Sequence, residues 1–291
     1  MPSYYGACFW KPDRRRFICF IRKSPGSPCR LRHDLPYIGD SMYQTTRGLV
    51  LRETEYKDYD KLLTVLTEDS GLMTVRAWGV KRKSSPLKSA CQLLTFSEFT
   101  IQEKQGFCGV REASPVEMFS ALRGDIELLS LASYFAQATE VLAQEDMPNP
   151  ELLSLVLNCL YGLSKMNEPE DKIKSVFELR SACLAGYTPD LSACRYCGCD
   201  QPDRFNIAEG MLECVSCGAH GDGLRMPITA GILDAMRYIC VCDSKRIFAF
   251  QTQAQTYQDL SHITESYLLT QLERGFSALD FYKSLSVLPS S

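Results

Sequence analysis

Cys194-Arg-Tyr-Cys197-Gly and Cys214-Val-Ser-Cys217-Gly set two short cysteine pairs 16 residues apart. Two C-x2-C pairs at that separation suit a single zinc ion. Each pair bends the chain so that both sulfurs face the metal, and four thiolates complete a tetrahedron. Gly198 and Gly218 follow the second cysteine of each pair, where a tight knuckle favours a residue without Cβ. A closed all-sulfur shell leaves no position for water or substrate. The expected cofactor is therefore one structural Zn2+ that braces the fold and does not catalyse. Redox dithiols and plain buried cysteines are the competing uses. Cys199 and His220 lie close by, but neither shares the spacing of the outer pairs.

A second set of residues is cationic. Arg76-Ala-Trp-Gly-Val-Lys81-Arg82-Lys83-Ser-Ser-Pro-Leu-Lys88 runs off an expected strand into a loop. Arg76, Lys81, Arg82, Lys83 and Lys88 can neutralise phosphates and release counterions, which gives affinity without reading sequence. A solvated turn is the bland alternative. Arg47, Arg52 and Lys57 are weaker candidates nearby. Tyr56, Tyr59, Trp78, Phe96, Phe99 and Phe107 share the region, and exposed ones could stack on bases. Core filling is the favoured use of each, because a small barrel needs large side chains inside.

Support for catalysis is thin. The chain has three histidines, and it carries no phosphate-cradling Gly-Lys-Ser/Thr loop and no nucleophile elbow. Paired carboxylates such as Asp58/Asp60 and Glu170/Asp171 read as solvated turns. The expectation is a protein that is not an enzyme.

The elements that must position these residues fall into two kinds. Residues 46–52, 61–67 and 72–80 read as strands, and Glu68-Asp-Ser-Gly71 suits a hairpin turn. Residues 92–103 and 107–113 form another pair around Lys104-Gln-Gly106. Five strands with tight turns in so short a span predict a small closed barrel of the oligonucleotide-binding type, the OB-fold. Ser114-Pro115 reads as the start of a helical region. Helical stripes follow over 125–145, from Asn149-Pro150 through Leu163, and over 173–185, 228–240 and 257–274, where Gly275 marks a stop. The predicted fold class is α+β multidomain. An OB-fold domain over 42–118 precedes an all-α domain over 119–291 with a zinc-binding insertion at about 191–225.

Residues 1–41 read differently. They carry five prolines, the basic run 14–16 and no sustained period. A disordered basic extension, a small added element and a mis-assigned start are the three explanations, and no packed core is expected before Met42. Net charge is +5 over 1–41, +1 over 42–118 and −9 over 119–291, so an anionic polymer should avoid the last stretch. Fourteen cysteines without a signal peptide point to reduced thiols in the cytoplasm. Arg14-Arg-Arg-Phe17 lacks the hydrophobic region an export signal needs, and no stretch reaches membrane-spanning length.

Gly48-Leu-Val-Leu-Arg52, Tyr59-Asp-Lys-Leu-Leu-Thr64, Thr67-Glu-Asp-Ser-Gly71 and Gly79-Val-Lys-Arg-Lys83 follow one another in order. Phe177-Glu-Leu-Arg180 and Gly186-Tyr-Thr-Pro-Asp-Leu191 then lead into Cys194, and Phe276-Ser277 follows a long helix. This ordered set, covering 42 to about 285, resembles the bacterial RecO family. The resemblance implies a cytoplasmic, nucleoid-associated recombination mediator that binds single- and double-stranded DNA and anneals complementary strands. It also implies that RecR helps it load RecA on strands coated by single-stranded DNA-binding protein (SSB). By the same analogy an SSB tail would dock on the helical body, where Lys172, Lys174 and Arg180 on one expected helix are the candidate cations. Residues 1–41 and cysteines 199, 240 and 242 depart from the family pattern. A protein-interaction adaptor whose barrel does not bind DNA is the alternative, motivated by the weak +1 charge of the barrel region.

Overall fold

The computed structural model describes residues 6–9, 18–21, 42–104, 107–166, 168–218 and 223–285. Within the first 41 residues, β1 (Gly6–Phe9) and β2 (Ile18–Ile21) pair antiparallel. The remaining expectations for that segment, and His33 with it, lie outside the described residues, as does His220.

Five strands close a barrel: β3 (Met42–Tyr56), β4 (Asp60–Thr67), β5 (Gly71–Ala77), β6 (Phe96–Lys104) and β7 (Phe107–Glu117). The order around it is β3-β4-β5-β7-β6. Every pairing is antiparallel except the short parallel contact of β5 with β7. This is the OB arrangement the turn spacing predicts. One long strand makes closure possible. β3 pairs with β6 through its first half and with β4 through its second, and the register shifts between Val50 and Arg52. Gly48 sits at the overlap, paired to both neighbours. A Cβ there would lie 2.5 Å from Val65 Cγ1, so the bend needs glycine. Val50, Leu63, Val65, Val75, Phe99, Ile101 and Val110 fill the interior.

The segment 78–95 between β5 and β6 caps the barrel. Its apolar residues Val80, Leu87 and Cys91 belong to the barrel core, and its basic residues stay outside. Burial of one side of an irregular segment therefore presents the other side's charges to solvent.

Ser114-Pro115 does not open a helix. Both residues belong to β7, where Ser114 faces Glu98 and Pro115 faces Ser97 beside a register shift. Only the start of β7 also pairs with β5, so Pro115 lies on an edge, where a missing N–H costs little. Helices begin further on. α1 (Ile126–Leu142) is capped by Asp125, whose carboxylate accepts from the amides of Glu127 and Leu128. α2 (Pro150–Lys165) is capped as expected by Asn149, whose Oδ1 accepts from Leu152 N at 3.0 Å. α3 (Glu170–Leu184), α4 (Ala230–Val241), α5 (Ala254–Leu272) and α6 (Ser277–Leu285) follow. The last long helix stops at Leu272 through Glu273 in a left-handed conformation (φ 51°), two residues before the expected Gly275.

A four-stranded sheet interrupts the helices: β8 (Asp190–Cys194), β9 (Arg204–Asn206), β10 (Met211–Glu213) and β11 (Arg225–Pro227), in the order β11-β9-β10-β8. Its strands of three to five residues are too short to show a period. The chain separates into two compact units, residues 1–157 with 278–291, and residues 158–277. Among the described residues no helix is long and apolar enough to cross a membrane.

Candidate metal centre and nucleic-acid interface

The sheet of the second unit builds the metal site. Cys194 ends β8, Cys214 follows β10, and Cys197 and Cys217 sit in the turns after them. The four Sγ atoms lie within 4.8 Å of one another. Cys194 and Cys217 are 3.9 Å apart, and Cys197 and Cys214 are 3.8 Å apart. A tetrahedron with metal–sulfur bonds of about 2.3 Å has edges of about 3.8 Å, so the donor set fits a four-thiolate ion. Gly198 and Gly218 take φ of 73° and 77°, the left-handed turn their positions require. Burial opposes ionisation of Cys194, yet amides of Cys197 and Tyr196 and the neighbouring thiols hold it down at about 6. That favours a thiolate ligand. Cys199 stays exposed and outside the cluster, and offers only its carbonyl, which accepts from Cys194 N at 2.7 Å.

Two helices grip this sheet. Arg237 of α4 donates to the carbonyls of Leu191 (2.8 Å), Ser192 (2.9 Å) and Asp200 (3.3 Å). Gln271 of α5 donates to Ile207 and Ala208, and Tyr267 packs edge-on to Phe205.

In the first unit, cations and aromatic rings meet at one end of the barrel. The Arg76 guanidinium lies 4.9 Å from the Tyr56 ring and 5.6 Å from Trp78. Lys57 lies 5.5 Å from Tyr56, and Arg82 lies 5.4 Å from Tyr59. Tyr56, Tyr59, Trp78 and Phe107 are exposed, with Phe107 at 78%, whereas Phe96 and Phe99 are buried. Core filling therefore holds for two of the six aromatic residues and fails for four. Lys81, Arg82, Lys83 and Lys88 are all exposed, and Arg76 is half-buried.

Sequence reasoning missed the carboxylates that organise this end. Asp60 is no solvated turn residue. It accepts from Arg76 at 2.5 Å and from Gly79 N at 2.7 Å. The Gly79 amide and the Arg76 guanidinium hold its carboxyl below the usual range. Glu55 pairs with Lys81 at 2.8 Å. The signal was the run Glu55-Tyr-Lys-Asp-Tyr-Asp60, an alternation of rings and charges across a hairpin turn.

The helical cations behave otherwise. Lys172 and Lys174 are 0% and 3% exposed. Lys172 pairs with Glu168 at 2.7 Å beneath the rings of Phe250 and Tyr257. Lys174 lies between Glu178 (3.0 Å) and Glu265 (2.8 Å) and also donates to Ser261. Arg180 turns to the end of α4, donating to the carbonyls of Ile239 and Cys240. The expected docking surface at Lys172 and Lys174 is thus corrected: these ammonium groups are sequestered between α3 and its neighbours and serve packing.

The buried cluster yields a prediction. Burial, with the charge of Glu265, pushes Glu178 up to about 7 against the pull of Lys174 and Thr264. Stability from that proton is present below the unfolded value near 4.5 and is lost as pH rises through about 7. Lys174→Ala leaves two buried carboxylates without their ammonium, at a cost of about 3–5 kcal/mol. Denaturant titrations should show the full loss at alkaline pH and a smaller one in acid, where the carboxylates take up protons. An equal loss at both ends would rule out the charge explanation.

A closed OB-type barrel with a ring-and-cation rim, followed by a helical unit with a four-thiol cluster, defines the class: a barrel protein of the oligonucleotide-binding type with four cysteines close enough to hold a metal ion. Residues 42–119 match the family described as recombination protein O N terminal, and residues 123–280 match recombination protein O C terminal. Relatives include the DNA repair protein RecO of Acetivibrio thermocellus, 29% identical over 84% of this chain and 97% of its own. Those of Desulforudis audaxviator (29%; 85% and 99%) and Alkaliphilus metalliredigens (28%; 82% and 98%) bear the same name. The chain belongs to the recombination protein O (RecO) family.

Proposed function

We propose that this chain is a DNA repair protein that acts as a recombination mediator without enzymatic turnover. It binds single- and double-stranded DNA at the barrel rim, anneals complementary strands, and works with RecR to load RecA on SSB-coated DNA in the cytoplasm. The carrying observation is the exposed rings of Tyr56, Tyr59 and Trp78 beside the exposed Arg82 and the half-buried Arg76 on an OB barrel. Rings give sequence-tolerant stacking, and cations track the phosphates. Zn2+ is the ion proposed for Cys194, Cys197, Cys214 and Cys217, where all-sulfur tetrahedral sites favour it. The proposed domain limits are 42–118 for the barrel and 119–291 for the helical part with its metal-binding insertion at about 191–225. An SSB tail would meet the helical body away from the buried Lys172 and Lys174. The test is fluorescent strand annealing, with and without SSB and without nucleotide. Annealing of the bare strands supports the reading, and its absence together with absent binding of oligonucleotides in dilute buffer rejects it.

One observation favours an adaptor whose barrel binds protein. Arg76 and Lys81 are already paired with Asp60 and Glu55, which lowers the charge left for phosphates. A gel shift at two salt concentrations separates the readings, because only phosphate binding weakens steeply with salt.

A stacking role for Trp78 can be probed without touching charge. A Cβ added at Gly109 would fall 1.9 Å from Trp78 Cη2, so Gly109→Ala must push the indole off its seat. Loss of one stacked base costs about 1–3 kcal/mol. Single-strand affinity should fall about 5- to 150-fold by that figure, with the salt slope unchanged. An unchanged affinity would place the bases elsewhere.

A further inference from the structure

Three cysteines of the second unit lie outside the metal centre and near one another in the fold: Cys183 in the last turn of α3, Cys240 in the last turn of α4, and Cys242 just beyond it. The Sγ atoms of Cys183 and Cys240 are 3.7 Å apart across 57 residues of chain. Both residues are half-buried, as is Cys242. Arg180 reaches from α3 to the carbonyls of Ile239 (3.1 Å) and Cys240 (2.6 Å). This clamp fixes the two helix ends so that the sulfurs stay side by side.

We propose that Cys183 and Cys240 form a reversible dithiol–disulfide site that takes low-molecular-weight disulfides as its oxidant. Cys183 is the attacking sulfur. Its thiolate attacks one sulfur of the small disulfide, forms a mixed disulfide and expels one small thiolate. The Cys240 sulfur, after giving up its proton, then attacks Cys183, forms the Cys183–Cys240 bond and expels the second thiolate. The protein loses two electrons and two protons, and both appear on two molecules of small thiol. Thiols remain the resting form in a reducing compartment, so the disulfide is transient.

The surroundings assign the roles. A hydrogen bond from Cys240 holds Cys183 down at about 7 against burial, with help from Thr188 and Arg180. Cys240 is pushed up by the same hydrogen bond and by burial. The other titratable groups facing the pair are Cys242 and, from α5, Tyr267. The nucleophile is thus the thiol that ionises first. The bond would close a loop around β8–β11, the whole metal-bearing sheet. It would fasten the base of that sheet independently of the ion.

The test uses the full zinc-loaded chain, prepared reduced and then treated with oxidised glutathione. Non-reducing peptide mapping should join the peptides of Cys183 and Cys240 while a metal-binding dye detects no released zinc. The rate should climb through about pH 7, following Cys183. Cys240→Ala should trap glutathione on Cys183, and Cys183→Ala should abolish both products. Thermal unfolding of each reduced variant checks that it folds, and the Ser variant at the same position replaces any that does not. The oxidised form should also resist protease after chelation better than the reduced form. The proposal is overturned if Cys183 is joined to Cys242 instead, if no link forms, or if oxidation first expels zinc and joins the metal ligands.

Discussion

Chelating the metal, or replacing Cys214 by Ser, is expected to collapse the β8–β11 sheet and to lower the unfolding temperature of the second unit by many degrees. Apparent free energies of four-ligand zinc sites in small peptides are on the order of 10 kcal/mol. Strands of three to five residues cannot hold a sheet by pairing alone, so this one would lean heavily on a bound ion. The loss will be smaller than in a peptide, because Arg237, Gln271 and Tyr267 tie the sheet to α4 and α5. Oligonucleotide affinity should change little, since the barrel has its own core. Metal analysis of protein purified without chelator, followed by thermal unfolding with and without chelator, tests this. Protein that contains no zinc and melts unchanged in chelator would refute it.

Much of this architecture is legible because two signals are strong in the sequence. The cysteine spacing states its geometry directly, since two C-x2-C pairs at that separation can bring four sulfurs within 4.8 Å of one another. A compact apolar run and a turn signal mark β4 and the Gly71 hairpin for the same kind of reason: Gly71 takes φ of 65°, which few other residues adopt. What was not legible depends on contacts between distant segments. Pro115 reads as a helix start until β5 is seen to pair only with the start of β7, which leaves Pro115 on an edge. Lys172 and Lys174 read as surface cations until Glu168, Glu178 and Glu265 appear beside them. The seat of Trp78 depends on Gly109, 31 positions away, whose missing side chain makes room for the ring. The pairing of Cys183 with Cys240 likewise comes from α3 and α4 being brought together, which no local pattern encodes.

Charge reversal in the 78–95 segment gives the largest expected effect on binding. Lys81, Arg82 and Lys83 are exposed on a segment whose Val80 and Leu87 anchor it in the barrel core. Substituting all three by Glu should therefore leave folding intact while removing three phosphate partners. Each contact to a single strand contributes about 0.7 to the slope of log affinity against log salt. The slope should flatten by about 2, and affinity in 0.1 M salt should drop by about 100-fold, with repulsion from the new carboxylates adding to it. Lys81 alone should matter least, because it must first leave Glu55, 2.8 Å away. Glu55→Gln frees that ammonium and should strengthen binding slightly. Fluorescence anisotropy of a labelled oligonucleotide across a salt series measures both quantities. A triple variant that keeps the parent's affinity and slope would move the DNA path off this end of the barrel, leaving the ring-and-cation cluster to another partner.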